Sequence, residues 1–273
     1  MRYAVSTFLF FLVLAGCGKK RVEDAIALLA NPDRQVRQDA TYDLILLGGR
    51  TVEPLLARAA TGSDNLRFIS AQILGKIGDT RAIPLLRQFA SSPNVHVSQE
   101  AVRALGQMGD TTLVEPLVQI LQNDARDPVR RAAAESLGNL RGAAAVAPLV
   151  RALADTAAPV RQGALAALHY LRNPAVEKAA LKSLQDPDET VRYIAAQMLG
   201  THRIHQGLTG LRAALRDNNV WVRAEAARAL ELLGDSSAVD DLIGLLKTRE
   251  GPDHTAARKA LKTLTGSDYV VVE

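Results

Sequence analysis

A ten-residue pattern, Val-Arg-x-x-Ala-x-x-x-Leu-Gly, recurs along almost the whole chain and restricts its fold more than any other feature. It reads VRQDATYDLI from Val36, LRFISAQILG from Leu66, VSQEAVRALG from Val97 and VRRAAAESLG from Val129. It continues as VRQGALAALH from Val160, VRYIAAQMLG from Val191 and VRAEAARALE from Val222, with a degraded copy, AARKALKTLT, from Ala256. Successive copies lie 30, 31, 32, 31, 31, 31 and 34 residues apart. Within a copy the apolar residues fall at positions 0, 4 and 8, often with 11 added, which is the stripe of an amphipathic helix. A second apolar-striped segment precedes each copy, such as VEPLLARAA, AIPLLRQFA, LVEPLVQIL and AVAPLVRAL. Pro54, Pro84, Pro116 and Pro148 recur near the starts of these segments, where a missing N–H costs nothing. Turns rich in Asp, Asn and Pro separate them.

One helix pair cannot bury its apolar face alone, so neighbouring pairs must stack and share a core. The pattern resembles HEAT repeats, in particular the short 31-residue variety of the phycobilisome lyases. The resemblance spans residues 22–266 and implies an all-α fold, an α-solenoid of about eight HEAT-like helix pairs. Four of the eleven aromatic residues (Tyr3, Phe8, Phe10 and Phe11) precede that region, so the core must be Leu, Val and Ala.

The start of the chain reads as an address. Met1-Arg2-Tyr3 is followed by an apolar run, Ala4 to Leu14, too short for a bilayer of roughly 30 Å. It ends in Leu14-Ala15-Gly16-Cys17, which resembles the lipobox of bacterial lipoproteins, and Cys17 is the only cysteine. The resemblance implies a removed signal peptide (1–16), lipidation of Cys17, and a membrane-anchored envelope protein. Gly18 then points to the outer membrane facing the periplasm rather than the inner membrane. Residues 17–21 are expected to be the lipidated Cys and a short basic spacer, with Lys19, Lys20 and Arg21 at the head groups. Residues 267–273 form a tail that either covers the last repeat or is a strand offered to a partner.

Arg37, Arg67, Arg130, Arg161, Arg192 and Arg223 all stand at position 1 of the pattern, while Asp124, Asp155, Asp186 and Asp217 stand at position −5. Two readings follow: a row of guanidinium groups for an anion, or an Asp/Arg ladder that ties successive turns together. Ser98 interrupts the row.

In HEAT-like solenoids the second helix of each pair lines the surface where partners bind. Positions 2, 3, 6 and 10 should point there, giving Phe68, Ile69, Tyr170, Tyr193, Ile194 and Arg228 as candidate partner-binding residues. Trp221 and Arg223 beside them complete the set. The function expected from these features is a membrane-tethered protein-binding scaffold or adaptor for an unidentified envelope protein. The alternative is a lyase-like factor or a non-catalytic subunit of an enzyme complex.

No nucleophile triad, Gly-rich phosphate loop or pair of catalytic carboxylates is evident, so no enzyme activity and no cofactor are expected. Of the five histidines only His202 and His205 are close, which does not make a metal site. HEAT-like DNA glycosylases share the repeat, but a net charge of +4 and an export signal argue against nucleic acid.

Overall fold

A computed structural model describes residues 18–171, 173–247 and 251–269. Cys17 and the leader lie outside the described residues, as does the end of the tail beyond Tyr269. The described residues contain sixteen α-helices and no strand, arranged as eight helix pairs. The α-solenoid class expected from the repeat is therefore what the chain adopts. The chain divides into two compact units, Met1–Ile120 and Leu121–Glu273.

The first unit contains the pairs α1 (Gly18–Leu28) with α2 (Arg34–Leu47), α3 (Gly49–Ala60) with α4 (Asp64–Ile77), and α5 (Ile83–Ala90) with α6 (Val95–Gln107). Helix α7 (Val114–Asn123) comes next in the chain, followed by α8 (Asp127–Leu140) of the second unit. The second unit continues with α9 (Val146–Ala152) and α10 (Ala158–Leu168), then α11 (Pro174–Ser183) and α12 (Glu189–Thr201). It ends with α13 (Leu208–Ala214) and α14 (Val220–Leu233), then α15 (Val239–Leu246) and α16 (Pro252–Thr265). Within each unit the second helices pack on one another: α4 on α6, and α8, α10, α12, α14 and α16 in succession.

The helix limits follow from local chemistry. Asp33, Ser63, Asn94, Asp188 and Asn219 cap second helices by accepting an N–H of the first turn. Gly266 ends α16 in the left-handed conformation, as its position in the sequence suggests. At the equivalent place after α8 and after α12 the chain uses Arg141 (φ 50°) and Arg203 (φ 56°).

Two boundaries differ from expectation. Helix α1 begins at Gly18, so residues 18–21 are helical rather than a spacer. Nothing in Lys19-Lys20-Arg21 breaks a helix, and burial of Val22, Ala25, Ile26 and Leu29 holds the segment against its neighbours. Pro54 lies inside α3 rather than at its start, because α3 gains an extra turn from Gly49.

The core is the 0/4/8 stripe of the repeat: Ala101 and Leu105, Val129 and Leu137, Val191 and Leu199, and Val222 and Leu230 are buried. The glycine that follows the stripe has a packing role. A Cβ on Gly75 would lie 2.7 Å from the Cα of Ala104 in the next second helix. The same holds for Gly138 against Ala167 (2.8 Å) and Gly200 against Ala229 (2.7 Å). Backbones touch there, and only glycine facing alanine allows it.

Candidate functional site

The arginines at position 1 form a ladder in the second unit. Arg130 Nε and Nη2 donate to the two carboxylate oxygens of Asp155, both at 2.8 Å. Arg161 does the same to Asp186 at 2.9 and 2.8 Å, and Arg192 to Asp217 at 2.7 and 2.9 Å. Arg223 Nε reaches Asp253 at 2.7 Å. In each case Nη1 turns back to the carbonyl six residues earlier, at 2.8 to 3.0 Å. The aspartates in turn accept amides of their own turn, as Asp155 does from Ala157 N. The Arg130 fork holds the Asp155 carboxyl below its ordinary value. At Asp217 burial pushes upward, but the Arg192 fork and the Asn219 amide outweigh it and the net shift is downward. Arg223, expected to meet a partner, is committed to this ladder, because its Nε edge is closed by the buried carboxylate of Asp253.

Outside the ladder, α12 and α14 present a cluster. Trp221 is 58 % exposed and shares an open groove of about 410 Å³ with Tyr193, Glu189, Thr190 and Asn219. The Tyr193 hydroxyl bonds to Glu225, whose carboxylate also pairs with Arg228 at 3.5 Å. Glu225 is buried, and burial raises its pKa against the pull of Arg228 and Tyr193. Burial, then the Glu225 charge, also raises the Tyr193 phenol. The result is a buried carboxyl with a raised pKa, bonded to a tyrosine that lines the aromatic groove.

The structure thus brings together Tyr193, Trp221 and, through Glu225, Arg228. Ile194 is half-buried and does not line the groove. Tyr170 is exposed elsewhere, with the Arg141 guanidinium 5.9 Å from its ring centre and His169 packed edge-on. Phe68 and Ile69 line a different groove, in the first unit. Two buried acids also matter: Glu225, which position 3 of the repeat places on the partner-facing side, and its repeat equivalent Glu100, not foreseen, both raised by burial. Their signal was a glutamate at position 3, next to the apolar stripe. His202 pairs not with His205 but with His169, its Nε2 lying 2.8 Å from the His169 carbonyl oxygen. Among the described residues no group of three or more His, Cys, Asp or Glu is placed to hold a metal ion. No described helix is long and apolar enough to cross a membrane.

The family model for HEAT repeats matches residues 22–97, 52–138, 85–169 and 177–262. The chain belongs to the HEAT-repeat family. Among curated proteins it is 27 % identical over 234 residues to the bilin biosynthesis protein PecE of Mastigocladus laminosus, covering 80 % of this chain and 85 % of that protein. It is 27 % identical over 223 residues to deoxyhypusine hydroxylase of Mus musculus, covering 76 % and 66 %. It is 29 % identical over 144 residues to the phycocyanobilin lyase alpha subunit of a Picosynechococcus, spanning about half of that relative (46 % and 54 %). Among solved structures, that of Escherichia coli YibA superposes with a TM-score of 0.64 at 23 % identity, covering 91 % and 96 %, which shows the shared fold.

The lyase-type relatives implied by the repeat are therefore present. They also correct one expectation. The chain was expected to be no enzyme, yet its HEAT relatives carry the names of a lyase subunit and a hydroxylase. Triads, phosphate loops and carboxylate pairs are motifs of other folds. A fold hosts many activities, so the lack of those motifs does not exclude one.

Proposed function

We propose that this protein is a lyase-type HEAT-repeat factor that works as a subunit with a protein partner. The observation that carries the reading is the likeness to PecE, which extends over 80 % of this chain and 85 % of that protein rather than over one or two repeats. The groove beside Trp221 supports it. Trp221 and Tyr193 offer flat faces to a conjugated ligand such as a bilin, and the Tyr193 hydroxyl, bonded to the buried Glu225, links that groove to an acid. Arg228 is the exposed cation nearest to that carboxyl and suits a ligand carboxylate. The Cys17 leader supports a place of work: a lipid-anchored protein of the cell envelope, its first helix starting immediately after the anchor.

The test is a titration of phycocyanobilin with the purified protein, followed by visible absorption. The expected result is a changed bilin spectrum that is lost in Trp221→Ala and weakened in Tyr193→Phe. A spectrum identical to that of the free pigment, or one unaffected by Trp221→Ala, overturns the reading. The location is checked separately by mass spectrometry of the mature N-terminus, with Cys17→Ala as control. An unprocessed, unacylated chain overturns it.

A further inference from the structure

We propose that the first unit carries a binding site for a carboxylate side chain of an acidic segment in a partner protein, centred on Arg37. The ladder of the second unit supplies the reference. There, the Nη1 corner of each arginine is anchored on the carbonyl six residues earlier, and the Nε edge faces an aspartate of the next repeat. Arg37 is anchored in the same way, with Nη1 donating to the Asn31 and Pro32 carbonyls at 2.6 and 2.9 Å. Its Nε and Nη2 make no hydrogen bond or ion pair among the described residues. The position 25 residues ahead, where Arg130, Arg161 and Arg192 find their aspartates, is Gly62.

Gly62 has no carboxylate to offer, and a Cβ there would lie 2.7 Å from Leu66 Cδ2 and 3.0 Å from the Arg58 carbonyl oxygen, so the turn is tight where the other rungs carry their aspartate. Arg67, in the next repeat, is partly answered: Asp64 lies 3.5 Å away and the ring of Phe89 lies against its guanidinium at 5.9 Å. Arg37 is thus an oriented guanidinium with one edge open.

That arginine lines a groove of about 600 Å³ between α2 and α4. Arg34 and Lys76 line it too, and no acidic residue does. Arg34 forms no ion pair or hydrogen bond among the described residues, and Lys76 lies within electrostatic reach of the buried Glu100. The walls are apolar and aromatic, from Tyr42, Ile45, Phe68 and Ile69. Net positive charge and apolar walls together fit a peptide bearing a carboxylate beside an apolar residue better than they fit a free ion. A planar carboxylate also matches the two-pronged contact that the ladder arginines Arg130, Arg161 and Arg192 each make. The inference goes beyond the lyase-type reading and does not rest on it.

The experiment is fluorescence anisotropy of a fluorescein-labelled peptide of alternating Asp and Leu, added to the full chain. The same peptide with Asn for Asp, and inorganic phosphate as competitor, complete the set. Binding of the acidic peptide is expected to weaken about tenfold or more in Arg37→Gln and in Arg37→Lys, since lysine keeps the charge but loses the fork. The double variant Arg34→Gln/Lys76→Gln should also weaken it. Arg203→Gln, which removes one charge from the second unit, should not. No binding of the acidic peptide, equal binding to Arg37→Gln, or equal binding of the Asn peptide overturns the proposal. Phosphate displacing the peptide at comparable concentration, with loss in Arg37→Gln, overturns it in favour of a free-anion site.

Discussion

Replacing Arg161 by alanine removes both prongs of one ladder rung and leaves the Asp186 carboxylate with the Asp188 amide as its remaining described partner. The two side chains of this rung are only 11 % and 10 % exposed, so water can restore little of the lost solvation. Stranding one charge of a fully buried pair costs about 3–5 kcal/mol. Because a tenth of each group still meets solvent, the cost here should sit at the lower end, about 3 kcal/mol. For a unit of this size that corresponds to a fall in melting temperature of about 6–12 °C. The contrast is Arg216→Ala: Arg216 is 80 % exposed beside Asp241, and such a pair is worth less than about 1 kcal/mol. Urea unfolding followed by Trp fluorescence reads the second unit directly, since Trp221 is the only tryptophan. In the double variant Arg161→Ala/Asp186→Ala the stranded charge is gone, so its loss should fall short of the sum of the singles by about 2 kcal/mol. If Arg161→Ala proves no more costly than Arg216→Ala, the ladder does not hold successive repeats together.

Gly138→Ala should destabilise by about 1–3 kcal/mol through the clash with Ala167, although alanine is the better helix former, and a thermal melt above wild type would contradict the close approach. Arg203→Gly should stabilise by about 1 kcal/mol, because φ 56° suits glycine and strains arginine; no change in urea midpoint would count against that strain. Glu225→Gln tests the buried acid. Burial raises the folded pKa of Glu225 above its ordinary 4.5, so its contribution is fully present below that value and is lost as pH rises through the folded pKa. The variant cannot ionise, so its melting temperature relative to wild type should climb as pH rises above 4.5, and parallel curves would refute the assignment.

Helix positions were legible from the sequence because they depend on short-range chemistry. The stripe from Val191 to Leu199, the Asn219 and Asp188 caps and the Gly266 stop are each set within one or two turns. Pro54 was misplaced because proline is compatible with the first turn but does not mark it. The candidate site was legible only in part. Tyr193 and Trp221 could be assigned to one side of the second helices, but Arg223 looks the same as any exposed arginine until Asp253 closes its Nε edge. His202 could be paired with its neighbour in sequence, while its actual contact, the His169 carbonyl, lies 33 residues away.

The sequence by itself determined the repeat, the pairing of helices, the apolar stripe that joins them and the family they belong to. A 3.6-residue period states which face of a helix is buried, and a 31-residue period states that the next unit buries it. Neither period states how far one helix is rotated or slid against the next. Tertiary structure decided that: which aspartate meets which arginine, why glycine must face alanine between Gly200 and Ala229, and why Glu225 is buried while Arg228 stays in water. It also decided that Arg37, identical in pattern to Arg161, has no aspartate among the described residues to answer it. Those outcomes depend on differences of a few tenths of an ångström in how closely packed backbones approach, which are set only when the repeats are stacked.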